Sequence, residues 1–367
     1  MSRLLNRRRF MLTGSSAIAS GALSTSRRAS AQSSGALRVQ VYGGDFGKAL
    51  IEAYVKPFEA ETGIKVIPIT QDVPTAQIAM MVKSKNVTID VSASSSVPTL
   101  VNLVQENLLE DIDYSIYKEE ELAGIPDYCK QTYGVASYMY SYNMVYNTAK
   151  FPAGKPRPAN WADFWDVKQF PGVRSLLSGQ YGTIGPWEEA VLADGAAVDA
   201  LYPMDIDRIF ASLDKIKPYI VKWWTNGSEI QQIMRDGVAD IMESYDGRAL
   251  LLADQGSPIE INRNQARLTW DYWFIPKGSP NAQNAQKFIE FTTRADRQAA
   301  FVQFYPQAPS NRNAFKLIPE KAGRKLCSHP DYIATSYPIN PKWYIETGSN
   351  GLTNAQQLLR RWNKWIL

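Results

Sequence analysis

Residues 133–147, Tyr-Gly-Val-Ala-Ser-Tyr-Met-Tyr-Ser-Tyr-Asn-Met-Val-Tyr-Asn, carry no charge and set tyrosines at alternating positions. Such a run, rich in aromatic and β-branched residues with a period of two, is expected to form one long buried strand. It divides the chain. Before it lie short βα units; after it lies a block rich in proline and tryptophan. A second stretch of the same type, Trp-Asp-Tyr-Trp-Phe-Ile over 270–275, appears in the last third. Two such strands, each passing between blocks of α/β pattern, predict two lobes joined by two crossings. A cleft between lobes is concave and can close, so a ligand is expected there.

The length of 367 residues suits two domains of ordinary size, and a hydrophobic content of 45% against 21% charged residues supports proper cores. The formal net charge of +4 points towards nucleic acid only until its origin is traced. Residues 1–31 hold six arginines and no acid; the rest of the chain has 34 basic against 36 acidic residues. The body has no run of lysine and arginine, which excludes nucleic-acid binding. The first 31 residues read as a signal peptide: Arg7-Arg8-Arg9-Phe10-Met11, a short mild apolar run, and Ala29-Ser30-Ala31 before Gln32. The paired arginines resemble a twin-arginine signal, which implies export by the twin-arginine translocase and a periplasmic mature protein. With one histidine, His329 in a polar turn, and two cysteines, neither a zinc constellation nor a serine–histidine triad is expected. An oxidising compartment would permit Cys129 and Cys327 to form a disulfide, provided geometry allows it.

The first lobe opens with a βαβ unit: a strand over 37–42, a Gly43-Gly44-Asp45-Phe46-Gly47 turn, a helix over 48–61 and a strand over 64–69. Turns at the carboxyl end of a strand in an open α/β sheet hold ligands, and the following helix offers free N–H groups. This turn departs from G-x-G-x-x-G, so no dinucleotide is implied, and no other cofactor motif is present. A second unit ends in Ala93-Ser94-Ser95-Ser96, where Ser95 and Ser96 are candidate ligand contacts or helix caps.

These features, with Phe-Glu-Ala-Glu-Thr-Gly-Ile-Lys-Val (58–66), Ile-Asp-Val (89–91) and Leu-Leu-Glu-Asp-Ile-Asp (108–113), resemble the substrate-binding proteins of ABC importers. The resemblance is greatest to the spermidine/putrescine-binding group. It covers nearly all of the chain beyond the leader. It implies a two-lobed α/β periplasmic binding protein of type II, each lobe a mixed sheet flanked by helices, with two crossover strands as the hinge. Lobe 1 is expected over 36–138 and 274–335, lobe 2 over 139–273 and 336–367. The permease of an inner-membrane ABC transporter is the implied partner, and closure of the lobes the implied mechanism.

The same resemblance nominates contacts. Asp271 falls where polyamine binders pair an acid with a ligand ammonium, and Trp270 where an aromatic stacks on the alkyl chain. An acid within an aromatic strand is costly unless paired, and an aromatic wall with a carboxylate suits an alkylammonium. Tyr245 stands where the family places an aromatic before Asn/Asp-Gly. Tyr305 lies in Tyr-Pro-Gln-Ala-Pro-Ser-Asn (305–311), similar to the family's Tyr-Pro-x-Pro-Asn. Trp187 and Glu188 open a helix beside the expected cleft, and Tyr344 lies near another family contact. The first loop departs from the group: Gly44, Asp45 and Phe46 stand where a tryptophan and a tyrosine are usual. The solute so implied is a small cation, a polyamine or related amine. Non-amine solutes, ferric iron, and a thiaminase-like enzyme using Cys129 as nucleophile are the alternatives; no adjacent tyrosine pair of the iron-binding kind is present.

Overall fold

The computed structural model describes residues 35–94 and 97–367. The signal-peptide reading of residues 1–31 and the contacts expected of Ser95 and Ser96 lie outside them. The described residues form ten strands: β1 (Leu37–Gln40), β2 (Val66–Ile69), β3 (Ser92–Ser94), β4 (Lys130–Gln131), β5 (Gly134–Asn147), β6 (Arg174–Leu177), β7 (Ile220–Trp224), β8 (Ile241–Tyr245), β9 (Ile259–Phe274) and β10 (Tyr337–Pro338). Strands β1 and β2 pair in parallel. The others form a mixed sheet of order β10-β9-β5-β8-β6-β7, with β3 on β9 and β4 on β5.

The centre of that sheet is an antiparallel ribbon. β5 and β9 stay paired from Val135↔Trp273 to Asn147↔Ile259, with two register shifts. All of β5 but its last residue is buried, as its uncharged sequence requires. β9 is longer than the expected 270–275. Its first half, Glu260-Ile-Asn-Arg-Asn-Gln265, is partly exposed and polar; Ile259–Asn262 are held by pairing with β5, and 263–266 lie in the register shift, where Gln265 has a φ of 56°.

Three hydrophobic clusters flank the ribbon. One gathers β1, the helices around Tyr54, Phe58, Leu100 and Phe288, and the Trp270–Ile275 end of β9. A second collects Trp161, Trp187, Phe210, Trp343, Tyr344 and Trp362 with Met144 and Tyr146 of β5. The third joins Tyr138, Tyr140, Tyr142 and Val145 of β5 to Trp224, Ile230 and Met242. No helix among the described residues is long and apolar enough to cross a membrane.

The first turn differs from expectation in a way that matters. The helix begins at Gly44, not Lys48, and runs through a π-helical turn at Ile51–Val55 to Thr62. Tyr42 and Gly44 both have positive φ, 61° and 69°. A Cβ on Gly47 would stand 2.1 Å from the Tyr42 carbonyl oxygen, so only glycine lets the helix fold back this closely on β1. Asp45 and Phe46 are thereby placed in a first helical turn instead of a loop.

Candidate functional site

Period-two geometry builds the site. Tyr138, Tyr140 and Tyr142 leave one face of β5. Their rings follow one another at 5.9 Å between centroids. Asp271 is the register partner of Tyr138 and Tyr245 that of Tyr142. Tyr245 lies 4.9 Å from Tyr142, 5.8 Å from Tyr140 and 5.2 Å from Trp224. Phe46 closes the other side, with ring contacts to Tyr42 (6.0 Å), Tyr138 (5.3 Å) and Tyr305 (5.2 Å). The result is an aromatic wall around one carboxylate.

That carboxylate is buried, and the Tyr138 hydroxyl donates to its Oδ2 at 2.5 Å. Tyr140 and Tyr42 also face it with their hydroxyls. Oδ1 has no well-formed partner among the described residues. Burial pushes the Asp271 pKa from 3.8 up to about 7, against the three tyrosines, which draw it down. An acid in this condition gains from any cation that enters beside it. At the Tyr305 end lies Arg248, whose Nη1 donates to Gln231 Oε1 at 2.8 Å and which has no acidic partner among the described residues.

Four of the residues expected from the sequence thus come together: Asp271, Tyr245, Tyr305 and Phe46. Gly44 and Asp45 are exposed beside them, and Asp45 pairs with Lys48 at 3.2 Å. Trp270 requires a correction. It neighbours Asp271 on β9 and therefore leaves the opposite face, where its ring lies 5.1 Å from that of Tyr128 at a tilt of 43°.

Trp187, Glu188 and Tyr344 require another. Trp187 is wholly buried against Phe210 and Trp362. Glu188 is consumed by the protein: Arg267 Nη1 donates to its Oε2 at 2.7 Å, and the hydroxyls of Tyr202 and Tyr344 donate to its Oε1, each at 2.5 Å. Arg267 also meets Glu243 at 3.0 Å and Glu189 at 3.2 Å, all with side chains shielded from solvent. Burial, with repulsion from Glu243 and Glu188, holds the Glu189 pKa well above the carboxylate range. Glu188 stands at a helix start, as its local sequence suggested, but Arg267 reaches it across 79 positions of chain.

The cysteine pairing is also corrected. Cys129 and Cys327 are both free and buried. Burial pushes the Cys129 thiol up to about 12, the wrong direction for a nucleophile.

Sequence reasoning missed Tyr138, Tyr140, Tyr142, Tyr42, Trp224 and Arg248 as a set. The alternation of tyrosines in β5 was the available signal for three of them.

Comparison with known proteins follows the same outline. A family model described as bacterial extracellular solute-binding protein matches residues 53–323. A gamma-aminobutyric acid-binding protein of Pseudomonas aeruginosa is 30% identical over 336 residues, which is 90% of each chain. The solved structure of an ABC transporter protein from Rhodopseudomonas palustris superimposes with a TM-score of 0.79 at 33% identity, covering 91% of this chain and all of that one. A solved GABA receptor has a TM-score of 0.79 at 28% identity, over 91% of this chain and 98% of its own. These relatives are solute-binding proteins, not enzymes.

Proposed function

The chain belongs to the bacterial extracellular solute-binding proteins, the binding components of ABC transporters, and within that family we propose that it captures a small solute bearing an ammonium group. The observation that carries this reading is Asp271: a buried carboxylate, ringed by tyrosines, with Oδ1 unpartnered among the described residues. An ammonium placed there gains a charge-assisted hydrogen bond and the faces of the surrounding rings. Cation–π attraction contributes roughly 1–2 kcal/mol when the ring and cation are desolvated.

An ω-amino acid such as γ-aminobutyrate fits better than a polyamine. Among the described residues, Asp271 is the acid that the Tyr42, Tyr138 and Tyr140 hydroxyls face, and the other candidate, Asp45, is exposed and paired with Lys48. Arg248 has no acidic ion-pair partner among the described residues and is suited to a carboxylate at the far end of the solute. The Pseudomonas relative and the solved receptor are both named for that solute.

Because Asp271 is buried, solute entry requires Phe46 and Tyr305 to part from Tyr140, Tyr142 and Tyr245. We assign this motion to two lobes, 36–138 with 274–335 and 139–273 with 336–367, hinged on β5 and β9. Export by the twin-arginine route, residence in the periplasm and delivery to an inner-membrane permease complete the proposal.

A thermal-shift titration of the chain from Gln32 with γ-aminobutyrate, putrescine, spermidine and a neutral sugar tests it. The expected result is a concentration-dependent rise in Tm with γ-aminobutyrate that Asp271→Ala removes. A rise with the diamines and none with γ-aminobutyrate would restore the polyamine reading. No rise with any amine would overturn both.

A further inference from the structure

The opposite face of the ribbon carries a second feature. Met139 sits between Tyr138 and Tyr140 on β5, so it leaves the face away from Asp271, as does its register partner Trp270. Behind them lies an open cavity of about 760 Å³, walled by Met139, Tyr128, Phe315, Ile318 and Ile333, with Arg312 also on its wall. This volume falls within the range of small-molecule sites, roughly 300–1,000 Å³. Nothing in the proposed transport function uses it.

Its polar groups are few, and most are engaged. Glu320 is held by Arg324 at 2.8 Å. His329 Nδ1 accepts from the Asp331 N–H. Ser310 donates to the Ala136 carbonyl and accepts from Gln298. Two groups are left over. Ser328 Oγ is buried and has no hydrogen-bond partner among the described residues. Arg312 reaches the Tyr128 hydroxyl but has no acidic partner among the described residues. An apolar chamber with an unneutralised guanidinium on its wall and an unpaired hydroxyl selects an amphipathic anion.

We propose that this back-face cavity is a second binding site, taking an apolar monocarboxylate of medium chain length. The hydrocarbon body lies against Met139, Phe315 and Ile318, and the carboxylate pairs with Arg312. The ligand proposed here lacks the ammonium that Asp271 takes, so the two sites can be told apart in one protein.

Isothermal titration of the chain from Gln32 with octanoate, and in parallel with octanol and octylamine, tests the assignment. Octanoate is expected to bind at one site per chain, at least about tenfold more tightly than octanol or octylamine. Arg312→Gln should weaken it about tenfold, and Ala334→Trp, which fills the exposed mouth, should abolish it. Asp271→Asn should leave octanoate binding unchanged, so failure of the amine site and failure of this one are distinguishable. Absence of octanoate binding to the wild-type chain would overturn the proposal. So would equal affinity for octanol, or wild-type affinity in Arg312→Gln. Since Arg312 is exposed, its replacement decides the matter even if Ala334→Trp does not fold.

Discussion

Asp271→Asn should make the unliganded protein more stable at neutral and alkaline pH while removing its affinity for amines. The side chain's pKa rises from 3.8 to about 7 on folding. Between those values the folded state holds a proton that the unfolded state has lost. The stability from this group is therefore complete below pH 3.8, declines as pH rises, and is lost once pH passes about 7. A shift of this size amounts to about 4 kcal/mol of ionisation cost, borne in full at pH 8. Asparagine, a neutral stand-in for the protonated acid, avoids that cost, which already includes the hydrogen bonds from the tyrosines. The gain expected at pH 8 is therefore about 4 kcal/mol, or roughly 6 °C in Tm for a chain of this length. At pH 4 the two proteins should melt together. Paired thermal melts of both proteins at pH 4, 6 and 8 without ligand measure this directly. The same proton governs binding. Where Asp271 is neutral an ammonium gains little, so wild-type affinity for γ-aminobutyrate should weaken about tenfold for each pH unit below 7. Equal melting temperatures at pH 8, affinity unchanged between pH 5 and 8, or an Asp271→Asn protein that still binds the amine would refute the reasoning.

The charge cluster behind the site gives a prediction of opposite sign. Arg267→Leu leaves Glu188, Glu189 and Glu243 buried without their cation, and should cost about 3–5 kcal/mol in chemical denaturation; a loss below 1 kcal/mol would show that the cluster is not held by that guanidinium. The two faces of β9 separate in a pair of variants. Phe46→Ala should weaken γ-aminobutyrate binding about tenfold by removing an aromatic wall, whereas Trp270→Phe should change it less than about twofold, and the reverse order in a calorimetric titration would return Trp270 to the ligand.

Much of the fold could be read from the chain because its central strand is uncharged over its whole length. The companion strand was legible only over 270–275. Glu260 and Asn262 look like loop residues until their pairing with β5 is known, and Arg263 and Asn264 fall in the register shift beside them. The site was half legible for a related reason. Alternation states which residues share a face but not which face meets the ligand. Trp270 and Asp271 were both nominated, although adjacent residues of a strand cannot both point into one pocket. Trp187 and Tyr344 show that aromatic content does not separate core from cleft. Glu188 shows that an acid at a helix start can answer a distant arginine instead of a solute.

That arginine bears on the charge of the solute. Arg267 lies close behind the wall, its guanidinium 4.2 Å from the centre of the Tyr142 ring. Taken alone it would favour an anion there. Three carboxylates surround it, and burial with repulsion from Glu243 and Glu188 holds the Glu189 pKa above the usual carboxylate range against the pull of Arg267. Ion pairs to all three carboxylates offset the guanidinium, so the cluster does not draw an anion to the Tyr142 end of the wall. At the other end Arg248 has no acidic ion-pair partner among the described residues, although Asp246 and Asp45 also act on Tyr305 there. A field that is negative around Asp271 and positive at Arg248 orients a zwitterion along the tyrosine wall and gives a diamine's second ammonium no partner.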